Sequence, residues 1–257
     1  MIRKGIVWIA ALAALAFIAL PIVAIFARLS FGGLSGSVVS DALVVSLKTT
    51  FAAQALVLAL GTPTAYVLAT HRFPGRSLVV TLVELPIVLP PAVAGIGLLA
   101  AFGRAGLLHT GLPFTQAAVV VAVAFVSGPL YVRQAIAAFE SVDETMVAAS
   151  RTLGAGPVKT FFRVVLPLAR GGLGAGEAIA FARGLGEFGA TIMFAGSLQG
   201  VTQTLPLAVY QEFDVNFNEA LALGGLLVLI SAVLLVTLKW LASSSTSVFR
   251  FAPSTSS

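Results

Sequence analysis

Six stretches of the chain, each about 20 residues long and nearly free of charge, restrict its fold more than any other feature. A helix rises about 1.5 Å per residue, so about 20 apolar residues cross the ~30 Å hydrocarbon core of a bilayer. The stretches lie near 5–27, 50–70, 78–102, 116–138, 172–195 and 220–241. Only 10% of the 257 residues are Asp, Glu, Lys or Arg, against about 25% in soluble domains. Mean hydropathy is +1.04. No soluble fold of this size hides so much apolar side chain, so lipid must be the solvent. The expectation is an all-α, polytopic protein with one transmembrane domain over 1–257. Its core covers about 40–240, with an additional N-terminal helix at 5–27 and a polar tail at 243–257.

The first stretch follows Met1-Ile2-Arg3-Lys4, a basic start that also opens signal peptides. Its apolar run of about 23 residues exceeds the ~7–15 of a signal h-region, which predicts a retained helix. Charge then sets orientation. With the N-terminus inside, 11 of the 15 Lys and Arg residues lie in inner segments: Arg3, Lys4, Arg72, Arg76, Arg133, Arg151, Lys159, Arg163, Arg170, Lys239 and Arg250. Three lie outside (Arg28, Lys48 and Arg104), and Arg183 lies within a span. This bias predicts a multi-pass cell-membrane protein with both termini in the cytoplasm.

Several chemistries are excluded. There is no cysteine, and His71 and His109 fall in separate loops without metal-ligand spacing, so no metal site is expected. The basic residues are scattered through short loops, which argues against nucleic acid. Gly156-Pro157-Val158-Lys159-Thr160 carries a Lys-Thr pair but lacks the glycine-rich cradle of a phosphate loop. No catalytic residues and no bound cofactor are expected in this chain; ATP and magnesium, if used, belong to a partner.

The longest inner loop, about 139–169, has its own pattern. Ser141 with Glu144 three residues on reads as a capping box opening a helix. Gly154 and Gly156 interrupt it, and Pro157 can open a second short helix at its first position. The expected product is a helix–turn–helix at the membrane surface with Val158, Phe161 and Phe162 on one side. Physics alone leaves two readings open: an interfacial amphipathic helix, or a docking knob for a cytoplasmic partner.

Here the chain resembles permease subunits of binding-protein-dependent ABC importers, whose cytoplasmic motif reads E-A-A-x3-G-x9-I-x-L-P. This sequence has Ala148-Ala149-Ser150, three residues, Gly154, nine residues, then Val164-Val165-Leu166-Pro167. Ala148 replaces the glutamate and Val164 the isoleucine. The resemblance implies a coupling helix seated in a separate ATP-binding subunit, with Arg151, Leu153, Gly156, Val158 and Phe161 among the contact residues.

Two spans hold unusual residues. The fifth contains Glu177, Arg183 and Glu187, and charge inside a bilayer normally faces protein or water. On one continuous helix, Gly176, Glu177, Ala180, Arg183, Gly184, Glu187 and Thr191 share an arc, with Phe181, Leu185 and Ile192 on the lipid side. Arg183 and Glu187 are placed to pair, and Gly172-x-x-x-Gly176 suits close packing. A structural ion pair and a pathway-lining stripe both fit. The third span contains Pro86, Pro90, Pro91 and Gly95, which predicts a bent or broken helix. Either a kinked bundle helix or an element of the translocation path would account for it.

The blocks Phe73-Pro74-Gly75-Arg76, Leu85 to Gly95, Ala149 to Gly156 and Phe181 to Thr191 together resemble permeases of molybdate importers, with tungstate and sulfate permeases close by. This covers roughly 40–240. It implies a type I ABC importer permease fold that pairs with a second copy of itself, two cytoplasmic ATP-binding subunits and an extracytoplasmic substrate-binding protein. For an oxyanion, a path lined by weak donors and small residues is expected past Pro86, Pro90, Pro91, Gly95, Arg183, Gly184, Glu187, Gly189 and Thr191, with Glu187 balancing Arg183. A secondary transporter, with Glu187 as a coupling carboxylate, is the rival class.

Overall fold

The computed structural model describes residues 2–29 and 36–244, and among these every regular element is helical. The polar tail beyond 244, with Arg250, lies outside the described residues. Helix α1 (Ile2–Ala27) runs along the periphery, and no residue from Val7 to Ala27 is buried. Helix α2 (Ser37–Thr70) begins 13 residues earlier than the expected second span, so Lys48 is helical and donates to Gln116 at 2.9 Å. The polar Ser37, Ser40, Asp41 and Ser46 hid this extension from a hydropathy reading. Ser46 is buried and accepts from the Leu205 amide at 2.7 Å.

The proline-bearing third span is broken. Helix α3 (Arg76–Val88) and α4 (Pro91–Phe102) meet at 115°. Leu89 and Pro90 are extended, because a residue before proline is pushed out of the helical region and Pro91 can only start a new helix. Helix α5 (Gln116–Glu140) is capped by Thr115, whose side chain accepts from the Ala118 amide, and forms the hub of the bundle.

The 139–169 loop differs from expectation. Helix α6 (Glu144–Thr152) is present, but its cap is Asp143, which accepts from the Thr145 amide at 2.8 Å; Ser141 instead donates to Ala138 O. The second short helix is not a separate surface element. Helix α7 (Pro157–Thr160) passes through a π-turn (Phe161–Val165) directly into α8 (Leu166–Leu185). Pro167 has no N–H to offer and its ring crowds the carbonyl a turn earlier. The wider π-turn just before it relieves that crowding without ending the helix.

The expected fifth span, 172–195, is therefore misplaced: the membrane helix runs from Pro157 to Leu185 and stops at Gly186. A short helix α9 (Gly189–Ala195) follows. Phe181 and Leu185, expected to face lipid, are buried. Phe181 stacks edge-on against Phe51 of α2, since α8 is packed on several sides. The segment after α9 holds a short element, α10 (Leu205–Phe213), and α11 (Phe217–Ser244) is the last span.

Small residues set the close approaches. A Cβ at Gly172 would stand 2.6 Å from the Ala138 Cβ, and one at Gly61 3.0 Å from the Tyr131 ring. With no hydrophobic drive between helices in lipid, such contacts and buried hydrogen bonds hold the bundle. Gln54 Nε2 of α2 donates to Ser127 Oγ of α5 at 3.2 Å and to Ala180 O of α8 at 3.3 Å, tying three spans together.

Candidate functional site

Two places concentrate the residues singled out above. The first is the turn between α6 and α7. Gly154 has φ +81°, a left-handed conformation natural to glycine, and a Cβ there would meet open space. The two limbs are fastened by Ser150 Oγ and Thr160 Oγ1 at 3.2 Å, and Thr160 is buried. Leu153 at the tip is 88% exposed and Val158 71% exposed. Ala148, Ala149, Arg151 and Gly156 are also exposed, and Ser150 and Leu166 half-buried. Phe161 departs from the expected exposed side: it packs against Tyr66 and Phe139, while Phe162 stays exposed. The π-turn rotates Phe161 inward, so the turn is anchored to the bundle through α2 and α5. Pro167 lies beyond it at the start of α8. Asp143, outside the membrane, has its carboxyl held below the usual range by the hydrogen bond from the Thr145 backbone.

The second place is the break in the third span. A cavity of about 130 Å³, the liquid share of about four waters, opens between α3, α4, α5 and α8. Pro86, Pro91, Ala94, Val126 and Leu130 line it, with Arg183 its one charged group. Arg183 Nη1 stands 2.7 Å from Glu187 Oε2, a charge contact rather than an aligned hydrogen bond. Glu187 is wholly buried, and its other oxygen accepts from the Ala190 amide at 2.8 Å in the first turn of α9. One carboxylate thus both caps α9 and holds a half-exposed guanidinium at the cavity. The helix stops at Gly186, yet the pair still closes.

The remaining candidates are interior. Gly95 and Gly189 seat α9 on α4: a Cβ at Gly95 would lie 2.6 Å from the Met193 Cβ, and one at Gly189 2.6 Å from the Pro91 Cβ. Gly184 faces Gln54 and Val123, where a Cβ would meet both at 2.9 Å. Thr191 is buried with an unpartnered hydroxyl. Pro90 is exposed at the break. Sequence reasoning missed Gln54, which carried no motif, and the Arg133–Glu84 pair at 3.5 Å, which joins α5 to α3 beside the break. A polar residue inside an apolar span was the available signal for Gln54.

A family model for the binding-protein-dependent transport system inner membrane component matches residues 58–243. The chain belongs to that family. Among curated relatives, the molybdenum transport system permease protein ModB of Mycobacterium tuberculosis is 41% identical, covering 90% of this chain and 91% of that protein. The protein of the same name from Escherichia coli is 38% identical over 80% of this chain and 94% of its own length. The molybdate/tungstate permease WtpB of Pyrococcus abyssi is 35% identical over 88% and 90%. Solved structures share the fold. A bacterial ABC transporter importing alginate superimposes with a TM-score of 0.75 at 12% identity, over 95% of this chain and 97% of that one. The MetNI methionine ABC transporter gives 0.66 at 21%, over 81% and 96%. The expectation of an ABC-importer permease fold holds. As a permease component, this chain has a transport role, and it is a multi-pass membrane protein.

Proposed function

We propose that this permease carries molybdate across the cell membrane, with tungstate accepted, and that a separate subunit hydrolyses the ATP. The observation that carries the reading is Arg183: one guanidinium at a small cavity in a broken span, in a chain similar over nine-tenths of its length to molybdenum permeases. A tetrahedral dianion cannot cross ~30 Å of hydrocarbon unaided. A strong cationic site would attract the anion and then keep it. Glu187 offsets most of the Arg183 charge, so attraction and release both stay possible. The first-turn amides of α4, left without intrahelical acceptors, supply weak donors next to Pro91. On this reading Pro86, Pro90, Pro91 and Arg183 border the path. Gly95, Gly184, Glu187, Gly189 and Thr191 shape it from behind.

The same reading gives the α6–α7 turn its purpose. Two copies of the chain form the gate, and each presents Leu153 and Val158 to one of two cytoplasmic ATP-binding subunits. A substrate-binding protein delivers the oxyanion on the opposite side. Both termini then lie in the cytoplasm. The test is uptake into vesicles holding this chain, its ATPase and its binding protein. ATP-dependent accumulation of labelled molybdate, competed by tungstate and weakly by sulfate, is expected. Preferential accumulation of sulfate or of an uncharged solute would overturn the cargo assignment, and uptake without ATP the importer class.

A further inference from the structure

Two adjoining depressions at the junction of α2 and α3 lie apart from the cargo path, although Ala148 and Arg151 of the coupling turn line one of them. One is a polar cleft of about 1130 Å³ between the 71–77 segment, the end of α5 and the inner side of α6. Arg72, Arg76 and Arg151 line it, opposed by Glu140 and Glu144. The other is an apolar groove of about 410 Å³ on the surface of α2 and α3, lined by Pro63, Val67, Leu68, Phe73 and Val79. Phe73 belongs to both and forms the wall between them.

The charges in the cleft are not equivalent. Arg76 is committed: its Nη2 donates to Glu140 Oε1 at 2.6 Å and its Nε to Leu68 O at 2.6 Å, capping a carbonyl that the end of α2 leaves open. Arg72 and Arg151 have no acidic partner within 4 Å among the described residues. His71 offers no donor while neutral. The Thr70 hydroxyl spends its proton on Tyr66 O, so the imidazole Nδ1–H is the donor between Thr70 and His71 and Nε2 is left a lone pair. The amides of Arg76 and Val79 bond back to Phe73 O and Gly75 O, while Ser77, between them in the first turn of α3, has no such acceptor. Arg72 thus lines the cleft together with the first residues of a 13-residue helix, at its positive end, and directly precedes Phe73, which also lines the apolar groove.

We propose that this junction binds one anionic phospholipid of the adjoining leaflet, its acyl chain in the groove beneath Phe73 and its phosphate at Arg72. Val67 and Leu68 lie in the last turn of α2, and Arg72 comes two residues beyond its end, after the extended His71. The groove therefore lies just below the polar cleft, the order in which a lipid presents tail and headgroup. A soluble anion would leave the groove uncovered. A choline headgroup would set its cation against Arg72. A glycerol headgroup does neither. The lipid would also reach the wall of the cleft that α6 supplies, bringing leaflet composition to the turn carrying Leu153. The assignment is independent of the cargo, and it rests on this end of the bundle lying at a membrane surface.

The experiment is native mass spectrometry of the purified full chain exchanged from nanodiscs of phosphatidylglycerol, phosphatidylcholine or their mixture. One phosphatidylglycerol retained in preference to phosphatidylcholine is expected. Arg72→Gln should lower that preference about fivefold and leave phosphatidylcholine retention unchanged, with Arg72→Lys restoring most of it. Phe73→Ala should weaken retention of both lipids. Arg72 is exposed and unpaired, so the melting temperature in phosphatidylcholine should not move. Equal retention of the two lipids, or an unchanged preference in Arg72→Gln, would overturn the proposal. So would full displacement by millimolar inorganic phosphate, which would make the cleft a site for soluble anions. Loss of preference only when the ATPase subunit is bound would reassign Arg72 to that interface.

Discussion

Replacing Glu187 separates two jobs that one buried carboxylate performs. Its Oε1 accepts from the Ala190 amide and its Oε2 faces Arg183 at 2.7 Å. A hydrogen bond to a charged acceptor contributes about 1.5–3 kcal/mol. Breaking a fully buried ion pair costs about 3–5 kcal/mol. Arg183, however, is 36% exposed, so its stranded charge can hydrate, and the pair term falls to about 1–2 kcal/mol. Glu187→Ala should therefore lose about 3–4 kcal/mol, having neither cap nor counter-charge. Glu187→Gln keeps an oxygen for the Ala190 amide and should lose only about 1–2 kcal/mol. Adding Arg183→Gln to Glu187→Gln removes the uncompensated cation and should recover most of that loss, a coupling a double-mutant cycle reads directly. The assay is reversible denaturation of the purified chain in mixed micelles, paired with molybdate uptake in reconstituted vesicles. Glu187→Gln should also slow uptake while raising the amount of anion held by the permease, because Arg183 then keeps a full charge. Equal destabilisation by Gln and Ala would refute the separate capping role. A double mutant no better than the single would refute the charge pairing.

Gly154→Val should cost about 1–2 kcal/mol for the left-handed backbone and lower uptake strongly while insertion stays normal, because φ is +81° and the surroundings are open; uptake and membrane insertion assays check both. Gly95→Ala should cost about 1–3 kcal/mol, since its Cβ would meet the Ala190 carbonyl at 2.7 Å and the Met193 Cβ at 2.6 Å; thermal unfolding measures it. The Asp143 carboxyl is held below its usual range in the folded chain, so its cap on α6 is intact above pH 3.8 and fails only as pH falls through its lowered value. The protection factor of the Thr145 amide, its exchange rate relative to an unstructured chain at the same pH, should accordingly be flat between about pH 5 and 8 in the native chain and lower in Asp143→Ala.

What composition and apolar run length settle is the solvent, since burial in lipid depends on local chemistry; among the described residues the structure has five spanning helices, or six with the bent α3–α4 pair counted as one. The break at Pro90-Pro91 was equally legible, because proline's missing donor and ring clash act on the neighbouring turn. The Arg183–Glu187 pair was readable as a spacing of four, although the helix presumed to carry it ends at Gly186. Hydropathy could not place the start of α8. Lys159, Arg163 and Pro167 look like a loop, yet a π-turn carries the helix through them. Nor could periodicity show that Phe181 faces Phe51 or that Phe161 turns in against Tyr66 and Phe139. In a bilayer, lipid and protein neighbours are equally apolar, so hydrophobicity does not say which face of a helix is packed. That choice falls to shape: the glycines at 61, 95, 172 and 189 admit a neighbouring helix on one side only, and the side is known once the neighbours are in place.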